Sequence, residues 1–409
     1  MDSIKNKLDS SRIIVIVSVV YVIIITAISM YLYMKFNEKE RFDRRFTKRL
    51  EDHGNEEDSM YISTNGFHNP NNGGDNNILK GDIPYVEDTT VLRHTVSLVN
   101  SHVKTAFNCC AVNTYRNSWV SLEALKYCLD IGMRCLDFEI YSVNSEPVVG
   151  LNSREKNIDM KESFNKLPLK DVIGEIRRFT GDKYLNDNVT KTPLILHFRI
   201  KTKQSEALKK FAQQVKLLDY IHSESYYDII TKVPPNNTDC FIYKPLTHLD
   251  NKTIIIANFS SIKPSNKEGS TTKEIGRGTE FYSDYITKTK IENAVNLISP
   301  SVFCDYTTNR TVELAENNEV EPSKLTLSAP FSDFEGSCVP FNPKEVARAG
   351  VQLIGICAQK NLQKNPNKMV NDYFQLFAMK DGGYCSYIAK NADSRNLYYT
   401  VENTVDLVD

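Results

Sequence analysis

Residues 134–152 read RCLDFEIYSVNSEPVVGLN, an apolar strand that turns and runs into a second apolar strand. Successive side chains of a strand point to opposite faces, so Asp137 and Glu139 are predicted to share one face. Two carboxylates on an apolar strand are costly to bury unless a cation or a cationic side chain meets them. The stretch therefore predicts a buried site built around two acids.

The segments around this stretch alternate between helical and strand-like patterns. Helices are predicted in VSLEALKYCLDIG (120–132), LKDVIGEIRRF (169–179), SEALKKFAQQVKLLDYI (205–221) and KMVNDYFQLFAM (368–379). Strands are predicted in MRCLDFEIY (133–141), PLILHFRI (193–200), CFIYK (240–244), TIIIAN (253–258), VQLIGICAQ (351–359) and YCSYIAK (384–390). Such alternation is typical of a mainly parallel sheet with both faces covered. A closed α/β barrel suits the length, and the Gly-rich phosphate loop of an open doubly wound sheet is missing from the sequence.

The composition is that of an ordinary globular protein. The 409 residues carry a formal net charge of -1, with 41% apolar and 25% charged residues. This balance gives no electrostatic reason to expect binding to nucleic acid. We therefore predict no nucleic-acid partner.

One segment departs from that average. Residues 13–34 read IIVIVSVVYVIIITAISMYLYM, 22 residues without a charge. At 1.5 Å per residue this run crosses a hydrocarbon core of roughly 30 Å, whereas the apolar region of a signal peptide has about 7–15 residues. Tyr31 and Tyr33 near its end are typical of interfacial anchors. The segment predicts an uncleaved single-pass transmembrane helix after a short tail, residues 1–12.

The orientation of this anchor is predicted from the basic residues beside it. Three precede it and seven follow it: Lys5, Lys7 and Arg12 before, and Lys35, Lys39, Arg41, Arg44, Arg45, Lys48 and Arg49 after. The positive-inside rule then places the C-terminal domain in the cytoplasm, and nine cysteines without paired spacing suit a reducing compartment. Glycosylation sequons favour the opposite orientation; they begin at Asn188, Asn236, Asn251, Asn258 and Asn309.

The rest of the chain divides by composition. Residues 35–49 form a basic juxtamembrane segment, either a helical stalk or a patch on anionic headgroups. Residues 50–86 are rich in Asn and Gly and predict a flexible linker. Residues 87–400 have a uniformly globular pattern, and residues 401–409 form a C-terminal tail. We therefore expect one anchor, one linker and one folded domain.

An ordered series of segments resembles phosphatidylinositol-specific phospholipase C. The X half of that family is similar to AFNCCAV (106–112), VSLEALKYCLDIGMRCLDFEIYSVNSEPVV (120–149), LPLKDVIGEI (167–176), TPLILHFRI (192–200) and KPLTHLDNKTIIIAN (244–258). The end of its Y half is similar to FNPKEVARAGVQLIGICAQKN (341–361) and VNDYFQLFAMKDGGYCSYIAK (370–390). The segment LDFEIYSV (136–143) resembles the corresponding segment in divergent members of the superfamily from large DNA viruses. The resemblance implies a TIM-like (β/α)8 barrel of the PLC-like phosphodiesterase type, preceded by one transmembrane helix.

The resemblance also implies a catalytic site that is incomplete in this chain. The family cleaves a phosphodiester with two histidines and one Ca²⁺, which is held by an Asn, two acids on one strand and a further Glu. Three of these ligands match Asn108, Asp137 and Glu139. The two histidine positions match Phe107 and Leu151.

The remaining family positions are also altered. The last ligand Glu falls at Arg199, and the substrate-gripping basic residues fall at Ala257, at Phe259 and near Ser328. A guanidinium at position 199 would repel Ca²⁺ and could bridge Asp137 and Glu139 directly. Asn108, Asp137 and Glu139 are then vestigial ligands around a cation that replaces the metal, and no cofactor is expected. Ca²⁺ is expected only if the site is still active.

Other side chains could still carry chemistry. His197 is predicted to face the same way as Arg199, one layer deeper, and His102 lies just upstream of Asn108. Either could supply a base, although a lone inward histidine is more typical of a hydrogen-bonded core residue. Cys109 and Cys110 are candidate nucleophiles or buried inert thiols.

Three functional hypotheses follow. In the first, the chain is a membrane-anchored, catalytically impaired barrel that binds phospholipid headgroups or a protein partner, or has a structural role. In the second, it is an active phosphoric diester hydrolase on phosphoinositide-like lipids with rearranged catalytic residues. In the third, it is a virion or envelope membrane protein. The missing histidine pair favours the first over the second, because general acid/base groups contribute about 10²–10⁴-fold each.

Overall fold

The structure is a computed structural model in two compact units, residues 1–51 and 52–409. It describes residues 2–55, 67–68, 96–112, 118–152, 160, 163–184, 192–202, 204–218, 245–258, 303–307, 325–329, 342–348, 350–358, 368–377 and 386–390.

The N-terminal unit is a helix, α1 (Asp2–Asn55), which continues a few residues past the unit boundary. Its stretch Ile13–Arg45 is long and apolar enough to cross a membrane. A signal sequence near an N-terminus shares these properties. The helix runs through the predicted juxtamembrane segment without a break. It also includes residues 50–55, which the sequence assigns to the linker.

The second unit contains the strands β1 (Phe67–His68), β2 (Ser101–Ala106), β3 (Cys135–Val143), β4 (Glu146–Gly150), β5 (Leu167–Pro168), β6 (Leu194–Ile200), β7 (Thr253–Asn258), β8 (Phe303–Thr307), β9 (Leu325–Ala329), β10 (Leu353–Ile356) and β11 (Tyr387–Ala389). Its α-helices are α2 (Leu122–Asp130), α3 (Leu169–Tyr184), α4 (Ser205–Val215), α5 (Pro343–Arg348) and α6 (Lys368–Leu376). Short 3-10 helices span Leu98–Asn100 and Leu246–Leu249. The short strand β1 lies within residues 50–86, the predicted linker, and pairs with β11.

Seven parallel strands form the body of the sheet in the order β7-β6-β3-β2-β10-β9-β8. The late strand β10 returns to pair with the early strand β2, so the strands follow chain order around part of a ring. Antiparallel strands β4, β5 and β11 make the sheet mixed. Among the described strands no pairing joins β7 to β8, and the predicted strand 240–244 lies outside the described residues. The described strands thus confirm the parallel α/β sheet, but they do not show the closure of the predicted barrel.

The register between β3 and β6 decides which side chains meet. Asp137 pairs with His197 and Glu139 pairs with Arg199, and paired residues of neighbouring strands share a face. The alternate residues point the other way: the Phe138 ring stacks on Phe198 with centroids 5.2 Å apart. Phe198 in turn packs against α4. Helix α4 therefore packs against the apolar face of the sheet, and the acids lie on the opposite face.

The helix before β3 is capped at both ends. Ser121 caps the N-terminus of α2 by accepting a hydrogen bond from the backbone N–H of Glu123. Beyond its C-terminus Gly132 adopts φ 79°, the left-handed conformation that glycine takes without strain. This tight exit leads directly into the strand that carries the two acids.

A second group of buried polar side chains lies around β2. His102 donates its Nδ1–H to the Val351 carbonyl at 2.6 Å, and Lys390 donates to the neighbouring Gly350 carbonyl. Burial lowers the pKa of Lys390 to about 7. Burial, with the Lys390 charge beside it, lowers the pKa of His102 to about 3. Both groups therefore resist protonation in the folded protein.

Lys390→Met is expected to flatten the pH dependence of stability. Between a folded pKa of about 7 and an unfolded value of about 10.5, the unfolded chain binds the extra proton, so wild-type stability rises with pH. One such group contributes a slope of up to about 1.4 kcal/mol per pH unit. Urea unfolding of wild type and variant between pH 7 and 8.5 measures the two slopes, and the ionisation of unfolded cysteines contributes equally to both.

The control for this experiment is Lys126→Met, which removes a lysine that forms a partly exposed pair with Glu123. This variant should keep the wild-type slope. Equal slopes in wild type and Lys390→Met would show that Lys390 is not the titrating group.

Candidate functional site

The two acids of β3 face a cluster of polar side chains from three parts of the sheet. Asp137 and Glu139 are fully buried, and His197 and Arg199 reach them from the adjacent strand β6. Asn108 lies in the turn after β2, where its backbone has φ 46°. Asn tolerates this left-handed conformation better than most non-glycine residues. We call these five residues the Arg199 cluster.

The Arg199 guanidinium lies at the centre of this cluster. Its Nε and Nη2 donate to the two carboxylate oxygens of Asp137 at 3.0 and 2.7 Å. Its Nη1 donates to Oε1 of Glu139 at 2.6 Å. A further bond runs from Nη2 to the Asn108 side-chain oxygen at 2.8 Å. The guanidinium therefore occupies the lone pairs that the two acids and the amide present to the site.

Phe107 covers the guanidinium. The ring centroid lies 4.2 Å from the Arg199 Cζ atom, within the range of a cation–π contact. Phe107 is 1% exposed. The position at which the family resemblance implies a catalytic histidine is therefore filled by an aromatic ring that shields the cation.

Asp137 is the most heavily hydrogen-bonded acid of the cluster. Besides Arg199, it accepts from the Asn108 backbone N–H at 3.0 Å and from His197 Nδ1 at 2.7 Å. Burial alone would raise the pKa of Asp137, but the charge of Arg199 and the bond from His197 hold this pKa well below its ordinary value. The aspartate is therefore ionised at neutral pH.

Glu139 has a second partner on its own strand. The Tyr141 hydroxyl donates to Glu139 Oε2 at 2.8 Å. Burial and the neighbouring glutamate raise the pKa of Tyr141 well above its ordinary value, while a hydrogen bond with Asn152 acts in the opposite direction. The hydroxyl is therefore protonated at neutral pH, and Glu139 is satisfied on both oxygens.

The strand after the acids leaves little room for a second imidazole. Leu151, at the other implied histidine position, is 1% exposed. At the preceding Gly150 an added Cβ atom would collide with the Met160 sulfur and press against the Tyr141 ring. This wall of the cluster is therefore packed with apolar atoms.

The structure brings some predicted site residues together and separates others. His197 joins the Arg199 cluster, facing the same way as Arg199. His102 does not, because Thr105 of its strand pairs with Cys135 and the odd spacing turns His102 to the opposite face. His102 therefore lies outside the Arg199 cluster, buried and hydrogen-bonded to the Val351 carbonyl. For Ala257 and Ser328 only the backbone is described, and Phe259 lies outside the described residues.

The candidate thiols are buried. Cys109 and Cys110 are free and at most 1% exposed. Burial, and to a lesser degree the neighbouring Cys110, raises the pKa of Cys109 well above its ordinary value. Cys109 is therefore a protonated thiol at neutral pH, which is a poor nucleophile.

The cluster does not fit the Ca²⁺ that the resemblance implies. Ca²⁺ needs about 6–8 oxygen ligands. Here the oxygens of Asp137, Glu139 and Asn108 accept hydrogen bonds from a cation that stands between them. Within the described residues no group of three or more His, Cys, Asp or Glu side chains is arranged to hold a metal ion.

Two contacts around the Arg199 cluster were not predicted from the sequence: the hydrogen bond from Tyr141 and the ring contact of Phe107. Tyr141 lies two residues after Glu139, so the alternation that paired the acids also indicates its direction. The shielding role of Phe107 has no comparable signal, because it depends on the turn at Asn108 and on contact with a residue on a distant strand. Tyr141 could have been found, whereas the ring contact could not.

No protein-family model and no curated protein matches the chain. Several solved phospholipase C structures are similar to it. PLC21 from L. pealei is 17% identical, with a TM-score of 0.46, over 74% of this chain and 38% of that chain. PLC21 from S. officinalis is 15% identical over the same shares, with a TM-score of 0.48. A Ca²⁺-dependent phosphatidylinositol-specific phospholipase C from Streptomyces antibioticus is 8% identical over 65% of this chain and 96% of that chain, with a TM-score of 0.42.

These similarities concern the fold alone. The chain spans 38% of the length of the two PLC21 proteins. Their activities, substrates and partners do not transfer to this chain on that basis.

Proposed function

We propose that the chain is a membrane-anchored, phospholipase-C-like barrel that lacks hydrolytic activity and serves as a binding or structural module at a membrane. The observation that carries this proposal is the position of Arg199, which donates four hydrogen bonds to the residues that match the family's metal ligands.

The chemistry of phosphodiester cleavage supports the proposal. Cleavage needs a base for the attacking hydroxyl and an acid for the leaving group, each contributing about 10²–10⁴-fold. Phe107 and Leu151 offer neither, since both side chains are apolar. The imidazole in the cluster, His197, is fully buried and bonded to Asp137. A substrate would need access that this packing denies.

The charges of the cluster are consistent with a structural role. Removing one member of a buried ion pair is strongly destabilising, because it leaves an uncompensated charge in the interior. Asp137 and Glu139 are therefore held by Arg199, and Arg199 is held by them. Each of the two carboxylates therefore has an ionic partner without a metal or a substrate.

The helix α1 supports the membrane location. Its segment 13–34 is uncharged, and its larger apolar side chains are exposed in the structure, as expected for a surface that faces lipid. We take this helix as a single-pass anchor with the folded domain on its C-terminal side, facing the cytoplasm by the distribution of basic residues.

The purified full chain, reconstituted in phosphatidylinositol vesicles, is expected to release no inositol phosphate above a heat-denatured sample, with or without Ca²⁺. An active phospholipase C in the same vesicles provides the positive control. Ca²⁺-dependent release that disappears in Asp137→Asn or His197→Ala would instead establish the active alternative.

A further inference from the structure

The charged part of α1 contains both paired and unpaired basic side chains. Its acids between residues 35 and 45 each form an ion pair: Glu38 with Lys35 at 2.9 Å, Asp43 with Lys39 at 3.5 Å, and Glu40 with Arg44 at 3.4 Å. Arg41, Arg45 and Lys48 are exposed and form no ion pair in the part of the chain that the structure describes. Among the described side chains of this part of the helix, these three carry the uncompensated positive charge.

Arg41, Arg45 and Lys48 also share one side of the helix. Their spacing is i, i+4 and i+7, which places them one above another on an α-helix. We call these three residues the basic stripe. Its three positive charges form a continuous row rather than a ring around the helix.

The stripe begins close to the end of the apolar segment. At 1.5 Å per residue, Arg41 lies about 10 Å beyond Met34, Arg45 about 16 Å and Lys48 about 21 Å. The helix contains no Gly or Pro between residues 2 and 53, which are the commonest causes of a kink. A straight helix therefore carries the stripe directly away from the apolar segment.

Side-chain direction brings the stripe nearer to the membrane. Long helical side chains lean toward the N-terminus of the helix, which here is toward the apolar segment. The polar headgroup layer extends about 5–8 Å beyond the hydrocarbon core on each side. Arg41 can therefore reach this layer, whereas Lys48 acts on it only through the longer-range field, which decays over about 10 Å.

We propose that the basic stripe binds the anionic phospholipid headgroups of the leaflet at the C-terminal end of the anchor, with contributions that fall from Arg41 to Arg45 to Lys48. The partner is identified by charge complementarity: exposed, unpaired cations beside a membrane attract negative headgroups. This inference rests on the anchor proposed above and is independent of the Arg199 cluster.

The test measures the lipids that surround the full chain reconstituted in phosphatidylcholine vesicles. Electron spin resonance of spin-labelled phosphatidylserine and phosphatidylcholine gives the relative association of each lipid with the protein. We expect a preference for phosphatidylserine that falls by up to about fivefold in Arg41→Gln, less in Arg45→Gln and least in Lys48→Gln. The preference should also weaken in 1 M salt, where the Debye length is about 3 Å.

The control is the double variant Lys39→Gln/Asp43→Asn, which removes an ion pair at a similar depth without changing the net charge. It should keep the wild-type preference. Replacement of phosphatidylserine by phosphatidylglycerol should give the same ranking, since charge rather than a particular headgroup is recognised.

Two negative results are distinguishable. A chain that inserts but associates equally with both lipids overturns the basic stripe and leaves the anchor intact. A chain that does not insert into neutral vesicles contradicts the proposal that α1 is a membrane anchor, and with it the proposal that the basic stripe binds lipid.

Discussion

Arg199→Met is expected to lower the free energy of unfolding by about 3–5 kcal/mol. The substitution keeps much of the side-chain volume but removes a charge that four hydrogen bonds tie to Asp137, Glu139 and Asn108. Two carboxylates then remain buried without their cation. Urea unfolding of the full chain at pH 7.5 measures the change.

The matched control is Arg178→Met on helix α3. Arg178 pairs with Glu175 at 2.5 Å, but its side chain is 59% exposed. Exposed pairs contribute about 0–1 kcal/mol. If the two variants lost the same free energy of unfolding, the buried ion pairs of Arg199 would contribute no more to stability than an exposed pair.

The charges themselves can be tested in the Arg199→Met background. Adding Asp137→Asn and Glu139→Gln removes the uncompensated carboxylates, so part of the lost stability should return. Acid unfolding gives a second readout. Because the pKa of Asp137 is depressed in the fold, its stabilisation is present above the unfolded value near 3.9 and is lost as pH falls below it. The decrease in the free energy of unfolding at low pH should therefore be smaller in Arg199→Met than in wild type.

Arg199→Ala is expected to gain stabilisation by Ca²⁺ that wild type lacks. Removing the guanidinium leaves a space lined by oxygens of Asp137, Glu139 and Asn108, which are suitable ligands for a hard divalent cation. A ligand at 100 times its Kd stabilises the folded state by about 2.7 kcal/mol. Urea unfolding with and without Ca²⁺ measures this difference, and refolding in Ca²⁺ supplies folded variant if the metal-free form is marginal.

The control for the gained site is Arg199→Ala/Asp137→Asn, which removes the central carboxylate and should abolish the Ca²⁺ effect. Stabilisation of wild type by Ca²⁺ would contradict the placement of Arg199 as the cation of the cluster. A Ca²⁺ response in neither protein would show that the remaining oxygens cannot form a metal site.

The local periodicity of the sequence determined much of this protein. Alternation placed Asp137 and Glu139 on one face of a strand, and the same rule applied to His197 and Arg199 on another. The uncharged segment 13–34 indicated a helix long enough to span a membrane, because length and hydrophobicity are local properties. The helical and strand-like patterns likewise predicted the parallel α/β sheet.

Only the tertiary structure decided which of these faces meet. A slip of one residue between β3 and β6 would turn Arg199 away from the acids, and nothing in either strand alone fixes that register. The face of His102 depends on how β2 pairs with β3, and the ring of Phe107 reaches the guanidinium only through the turn at Asn108. Periodicity acts over a few residues, whereas the contacts between Arg199 and its partners join residues 60–91 positions apart. Such contacts are set by the packing of the whole sheet.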